Sequence, residues 1–224
     1  DGGFGSYERR RVEVPIDWLN PSEMFGACMT ERSYVECTSS CTAALAAFRH
    51  RYPDRLVEVI DGAVARGVAR LRAAQRQDGS FHGTWGVHFI YGTMFGVRGL
   101  IRGGVPCVDP QIRRACAWLL ERQRPDGGWG EHAKSVTEGR YVEHVEAQVV
   151  QTAWALTTLL EAREPDFAAI ERAARFLACA QKSDGTWEEQ DPEGIFFHTA
   201  LLDYRLYRRY FPPWALGLYA QRAY

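Results

Sequence analysis

Three times this chain runs a helix-like stretch into a glutamine and, three residues later, an Asp-Gly-x-aromatic turn. The copies are Gln75 with Asp78-Gly79-Ser80-Phe81, Gln123 with Asp126-Gly127-Gly128-Trp129, and Gln181 with Asp184-Gly185-Thr186-Trp187. A fourth copy, Asp1-Gly2-Gly3-Phe4, has no preceding helix or glutamine and reads as a truncated repeat. Glycine accepts the positive φ that a helix C-terminus or tight turn demands, and aspartate bonds its own backbone two residues on. The turn glycines recur after 48 residues (Gly79 to Gly127) and then 58 (Gly127 to Gly185), the period of a helix pair plus its loops.

Two kinds of helix alternate around these turns. Ahead of each turn the apolar spacing is that of an amphipathic helix. Leu56, Val59, Ile60, Val64, Val68 and Leu71 follow Pro53-Asp54; Ile112, Cys116, Leu119 and Leu120 follow Asp109-Pro110, an N-cap with proline at the first helical position; Ile170, Ala174, Leu177 and Ala178 lead to Gln181. After each turn come apolar segments rich in small, hydroxylated and aromatic residues, 34–48, 87–101, 145–162 and 197–219. Such segments make poor surface, so the expected packing is two concentric layers with the amphipathic helices outside. Strand signals are weak and the fold reads all-α, one region over 1–224.

Composition narrows the function classes. Lysine plus arginine (27) nearly balance aspartate plus glutamate (28), so no overall field draws the chain to nucleic acid. Arg205, Arg208 and Arg209 alternate with Tyr204, Tyr207 and Tyr210, but within a neutral chain this basic-aromatic run is not read as a nucleic-acid surface. The six cysteines contain no CxxC pair, which signals neither zinc nor a disulfide framework and fits a reducing compartment. No apolar run of about 18 residues is present to span a bilayer, although a monotopic patch built from separated segments leaves no such trace.

Four further runs carry a resemblance. They are Tyr34-Val35-Glu36-Cys37-Thr38-Ser39, the stretch Gly83-Thr84-Trp85-Gly86-Val87-His88-Phe89-Ile90-Tyr91-Gly92-Thr93, Gln151-Thr152-Ala153-Trp154-Ala155-Leu156, and Phe211-Pro212-Pro213-Trp214-Ala215-Leu216-Gly217. With Asn20-Pro21-Ser22-Glu23 and the glutamine-to-tryptophan repeats, the chain resembles the carboxyl-terminal part of an oxidosqualene cyclase, of the triterpene and sterol cyclase family. That resemblance implies part of an (α/α)6 barrel, with the remainder of the cyclase chain as its partner. It implies acid-initiated cyclisation of 2,3-oxidosqualene to a tetracyclic sterol precursor such as lanosterol or cycloartenol, without metal or redox cofactor. It further implies a monotopic protein on the cytoplasmic side of a membrane. The family's acidic Asp-Cys-Thr-Ala-Glu motif is not in this sequence and would lie upstream of Asp1, so the chain alone is expected to be inactive. His88 stands where the eukaryotic pattern has cysteine, and Phe197-His198 replaces an Asn-Lys pair; both suggest a bacterial branch.

The same resemblance assigns residues. Phe25 and Phe196 would face the developing ring cations, with Trp85, Tyr91 and Tyr204 lining the cavity. Cys37 would hydrogen-bond the catalytic aspartate, and Tyr7 would serve the final deprotonation. Aromatic faces suit this work because a ring quadrupole attracts a cation without offering a lone pair. On residue type alone the same aromatics read as core. His88, three residues before Tyr91, either orients that phenol or is a satisfied core histidine. Glu36, on an inner helix, is expected to have a hydrogen-bonded partner and a structural role. A squalene-hopene cyclase, a protein prenyltransferase β-subunit with its zinc set, and a noncatalytic α/α piece that binds lipid or protein remain alternatives at this level.

Overall fold

The computed structural model describes residues 1–6, 20, 22, 32–196 and 199–222. Among them are eight helices, α1 Val35–Arg51, α2 Val57–Ala74, α3 Phe89–Arg102, α4 Pro110–Leu120, α5 Lys134–Glu138, α6 Val149–Glu161, α7 Phe167–Cys179 and α8 Tyr207–Arg222. The inner layer is α1, α3, α6 and α8, each packed on the next, and α2, α4 and α7 lie outside across the seams. The expected contrast between the layers is plain at α6 and α7, whereas α1 buries only Glu36, Thr38, Ser39 and Thr42. Every residue of α6 from Val149 to Leu160 is buried, whereas α7 buries only one stripe that includes Ile170, Ala173, Ala174 and Leu177.

The turns set the joints between repeats. All four glycines take positive φ: Gly2 +88°, Gly79 +97°, Gly127 +90° and Gly185 +82°. Asp78 Oδ1 accepts the Ser80 N–H at 3.0 Å, and Asp1, Asp126 and Asp184 make the same bond in their own copies. Gln75 Nε2 donates to Gly79 O inside its turn and to Gln111 O in the first turn of α4. Gln123 repeats this with Gly127 O and Ala169 O of α7. The glutamines therefore tie one turn to the start of the next outer helix. Approach is close enough that a Cβ on Gly79 would lie 2.6 Å from Arg114 O, and one on Gly127 2.5 Å from Arg172 O.

Helix starts show which local signals dominate. Asp109 Oδ1 caps α4 through the Gln111 N–H, with Pro110 at the first position as expected. Pro53-Asp54 does not cap α2. That helix begins at Val57, after Leu56 in the left-handed region (φ 47°), because 52–55 form a turn closed from Arg55 N to Tyr52 O.

The segment 197–219 is not one helix. Gly194–Phe196 (β1) pairs antiparallel with Ala200–Leu202 (β2), in the register Gly194↔Leu202, Ile195↔Leu201 and Phe196↔Ala200, and α8 starts only at Tyr207. The hairpin is anchored from outside, by Ile195 N donating to Trp85 O at 3.1 Å and by a bridge between Gly86 and Gly194. These long-range pairs win over helix propensity, and Pro212 and Pro213 lie inside α8, past its first turn. The extra length of the second repeat period sits in the loop that contains α5.

Candidate functional site

Trp85 and Phe196 meet because the Gly86–Gly194 bridge brings the approach to α3 against the hairpin, and their ring centroids are 6.4 Å apart. Tyr34, at the N-cap of α1, stands edge-on to Trp85 at 5.8 Å. Tyr204 lies over Gly194, where a Cβ would come within 2.3 Å of its ring, and Tyr91 lies against Gly86 in the same way at 2.8 Å. The two glycines are therefore the contact points of the site, since any side chain there would push a ring away. Tyr91 also packs on Trp154 at 5.0 Å, Trp154 on Tyr207 at 5.8 Å, and Tyr207 on Tyr204 at 5.0 Å. Trp85, Tyr91, Phe196 and Tyr204 thus belong to one aromatic cluster with Trp154 and Tyr207, in which Tyr91 and Trp154 are buried in the core. Phe196 is 38% exposed, so its ring stands out of the packed core.

Carboxylates frame this cluster from behind. Glu36, buried on α1, accepts the Trp85 N–H at 3.0 Å and also the Thr84 N–H, which gives it the hydrogen-bonded structural role expected of it. Burial raises its pKa against those backbone bonds. Glu131, also buried, accepts the N–H groups of His88, Phe89 and Ile90 at the start of α3. Cys37 is half-buried, with its sulfur 3.2 Å from Ser6 Oγ. His88 is the buried N-cap of α3, and its ring stands edge-on to His82 at 4.4 Å and to Phe89 at 4.7 Å. Tyr7 and Phe25 lie outside the described residues.

The phenols are held neutral. Burial, assisted by Glu36, pushes Tyr91 well above the usual tyrosine value, and burial takes Tyr207 to about 12. Aromatic faces and un-ionised phenols attract a cation and present no anionic oxygen to trap it. Among the described residues no group of three or more His, Cys, Asp or Glu is placed to hold a metal. The sequence assigns no place in the site to Glu131 or Gln151, because the partners they hold lie 20 or more residues away, too far for local spacing to reveal them.

The model of the squalene-hopene cyclase C-terminal domain matches residues 1–221. The chain belongs to this terpene cyclase family. It is 40% identical to lanosterol synthase of Homo sapiens over 99% of its own length and 31% of that protein's. It is 43% identical to cycloartenol synthase of Dictyostelium discoideum over 99% of its length and 32% of that protein's. The chain therefore spans about a third of the length of these curated relatives. Among solved structures, ent-copalyl diphosphate synthase from Streptomyces platensis matches with a TM-score of 0.62 at 19% identity, over 90% of this chain and 37% of that one. That likeness concerns the fold. A type II terpene cyclase from Scytonema in complex with its substrate, geranylgeranyl dihydroxybenzoate, matches with a TM-score of 0.57 at 26% identity, over 84% and 46%. The layered helices of this chain are thus part of an α/α toroid, as the resemblance implied.

Proposed function

We propose that this chain supplies the cation-stabilising wall of an oxidosqualene cyclase, whose full-length form converts (S)-2,3-oxidosqualene to a tetracyclic sterol precursor. The observation that carries this reading is the aromatic cluster joining Trp85, Phe196, Tyr204 and Tyr91, in a chain 40% identical, over nearly all of its own length, to part of a lanosterol synthase. In the reaction an acid protonates the epoxide oxygen, the C–O bond opens, and successive alkenes attack the cation so formed. Methyl and hydride shifts follow, and proton loss ends the sequence. The residues here stabilise and shape the cation, while the acid is supplied from elsewhere in the full protein. Cys37 then tunes that acid, Phe25 faces the ring cations beside Phe196, and Tyr7 serves the final deprotonation. The apolar substrate is drawn from a membrane surface on which the full-length protein lies, and co-sedimentation with phospholipid vesicles tests that part. No helix among the described residues is long and apolar enough to cross a bilayer.

The deciding experiment feeds oxidosqualene and, separately, squalene to the full-length protein and identifies products by mass spectrometry. Tetracyclic alcohol from oxidosqualene is expected, with no turnover by the 224-residue chain alone. Cyclisation of squalene without the epoxide would move the assignment to the hopene-forming branch. Unchanged products in Trp85→Ala and Phe196→Ala variants would leave only a scaffold role for this part of the protein.

A further inference from the structure

The first turn of α3 is held by a residue from a different repeat. A helix begins with backbone N–H groups that have no intrahelical acceptor, and a local Ser, Thr, Asp or Asn ordinarily satisfies one of them. Here the N-cap is His88, which makes no side-chain cap. Glu131 takes its place from beyond the next turn. Its Oε2 accepts from His88 N at 3.1 Å, Phe89 N at 3.0 Å and Ile90 N at 2.9 Å, and its Oε1 from Phe89 N at 3.1 Å. The residue is 2% exposed, so a charge placed there is costly unless such bonds offset it; the positive end of the helix dipole adds to them.

What distinguishes this arrangement from an ordinary cap is the second clamp. The main chain of Glu131 is gripped on both sides by the side chain of Gln151, itself buried on α6. Gln151 Nε2 donates to Glu131 O at 2.9 Å, and Gln151 Oε1 accepts the Glu131 N–H. A local cap would satisfy the α3 donors without linking α3 to anything. Glu131 and Gln151 together fix the start of α3 relative to α6. Those two helices carry the facing rings Tyr91 and Trp154, and Trp85 and Gly86 lie immediately ahead of α3.

We infer that Glu131 is a positioning residue for cyclisation: held by Gln151, it sets the placement of Tyr91 and Trp85 relative to Trp154, and so decides how far ring closure runs before the cation is lost. This rests on the cyclase reading above. The physical basis is that cation–π stabilisation depends on ring placement, and a displacement of about 1 Å in a reacting array costs on the order of a hundredfold in rate.

The test uses the full-length protein with oxidosqualene, comparing wild type with Glu131→Gln and Gln151→Met below the melting temperature of each. Glu131→Gln keeps the shape but turns an amide N–H₂ toward backbone donors. Gln151→Met leaves the carboxylate and releases its clamp. Both are expected to raise the share of incompletely cyclised products, Glu131→Gln several-fold and Gln151→Met by less. For Glu131→Gln, kcat should fall about 10- to 100-fold, with KM changed by less than about threefold because the substrate's apolar contacts remain. A lower melting temperature with an unchanged product ratio in both variants would overturn the inference and leave Glu131 a stabiliser only. Should Glu131→Gln fail to fold, the product ratio of Gln151→Met decides alone. If wild type forms no cyclised product from oxidosqualene, the cyclase reading itself fails and this role falls with it.

Discussion

Thr93 Oγ1 accepts the backbone N–H of Phe81 at 3.1 Å, so an inner helix fixes the aromatic residue of the turn that precedes it. The same bond recurs from Thr152 to Trp129 and from Thr38 to Phe4, both at 2.9 Å. Both Thr93 and Phe81 are fully buried, and no water can replace the hydroxyl without rearrangement. Thr93→Val keeps the shape and removes the acceptor, leaving a buried N–H unsatisfied. It should lower the unfolding free energy by about 1–3 kcal/mol in urea titrations with an unchanged m-value, whereas Thr93→Ser should retain most of the stability.

Gln123 and Gln181 occupy the same place in the repeat but have different surroundings. Gln123 donates to Gly127 O and Ala169 O and receives Arg172 Nη2 on its Oε1, all in a half-buried joint. Gln181 is exposed and, among the described residues, donates only to Gly185 O. Gln123→Ala is expected to cost about 1–3 kcal/mol and Gln181→Ala about 1 kcal/mol or less, measured on this chain by chemical denaturation. Equal costs would mean that the tie to the outer helix contributes little.

Gly79 and Gly104 separate backbone strain from packing. Their φ angles are nearly equal, +97° and +96°, but a Cβ on Gly79 would strike Arg114 O at 2.6 Å and one on Gly104 would meet open space. Gly104→Ala should therefore cost only the left-handed strain, about 1–2 kcal/mol. Gly79→Ala should cost about 1–3 kcal/mol more, because α4 must move to admit the methyl group. Differential scanning calorimetry of the two variants gives the comparison directly.

Glu193 predicts a pH dependence. Its side chain is fully buried, and among the described residues neither oxygen is hydrogen-bonded. Burial raises its pKa to about 7, with Arg208 opposing the rise and Asp203 and Asp191 adding to it. A carboxyl whose folded pKa lies above its unfolded value near 4.5 favours folding most at low pH, and that contribution is lost as pH rises from about 4.5 to 7. Glu193→Gln cannot ionise. The wild type should lose on the order of 1–3 kcal/mol relative to this variant across that window, followed by urea unfolding at intervals of half a pH unit. Parallel profiles for the two proteins would contradict the assignment.

Sequence legibility followed the range of the forces involved. The outer helices and the turns were readable because apolar period, capping residues and Asp-Gly chemistry all act within a few residues, as at Asp109-Pro110 and Gly79. The β1–β2 hairpin was not, since three-residue strands have no usable period and its anchor, Trp85 O, lies 110 residues before Ile195. Within the site, the resemblance directed attention to Trp85, Tyr91, Phe196 and Tyr204, which the fold does gather. Glu131 went unassigned because, in the run Gly130-Glu131-His132, a lone acid reads as loop surface and its three donors are more than 40 residues distant.

The turn-to-helix joints also impose an order of assembly on the growing chain. Gly79 seats on Arg114 and Gly127 on Arg172, so each turn waits for a helix that emerges from the ribosome 35 and 45 residues later. No joint needs a helix beyond the next outer one. Synthesis at about 5–20 residues per second gives each joint seconds to close before its successor is made. The repeats can therefore be laid down one after another, and the aromatic cluster is completed only when the hairpin at Gly194 reaches Gly86.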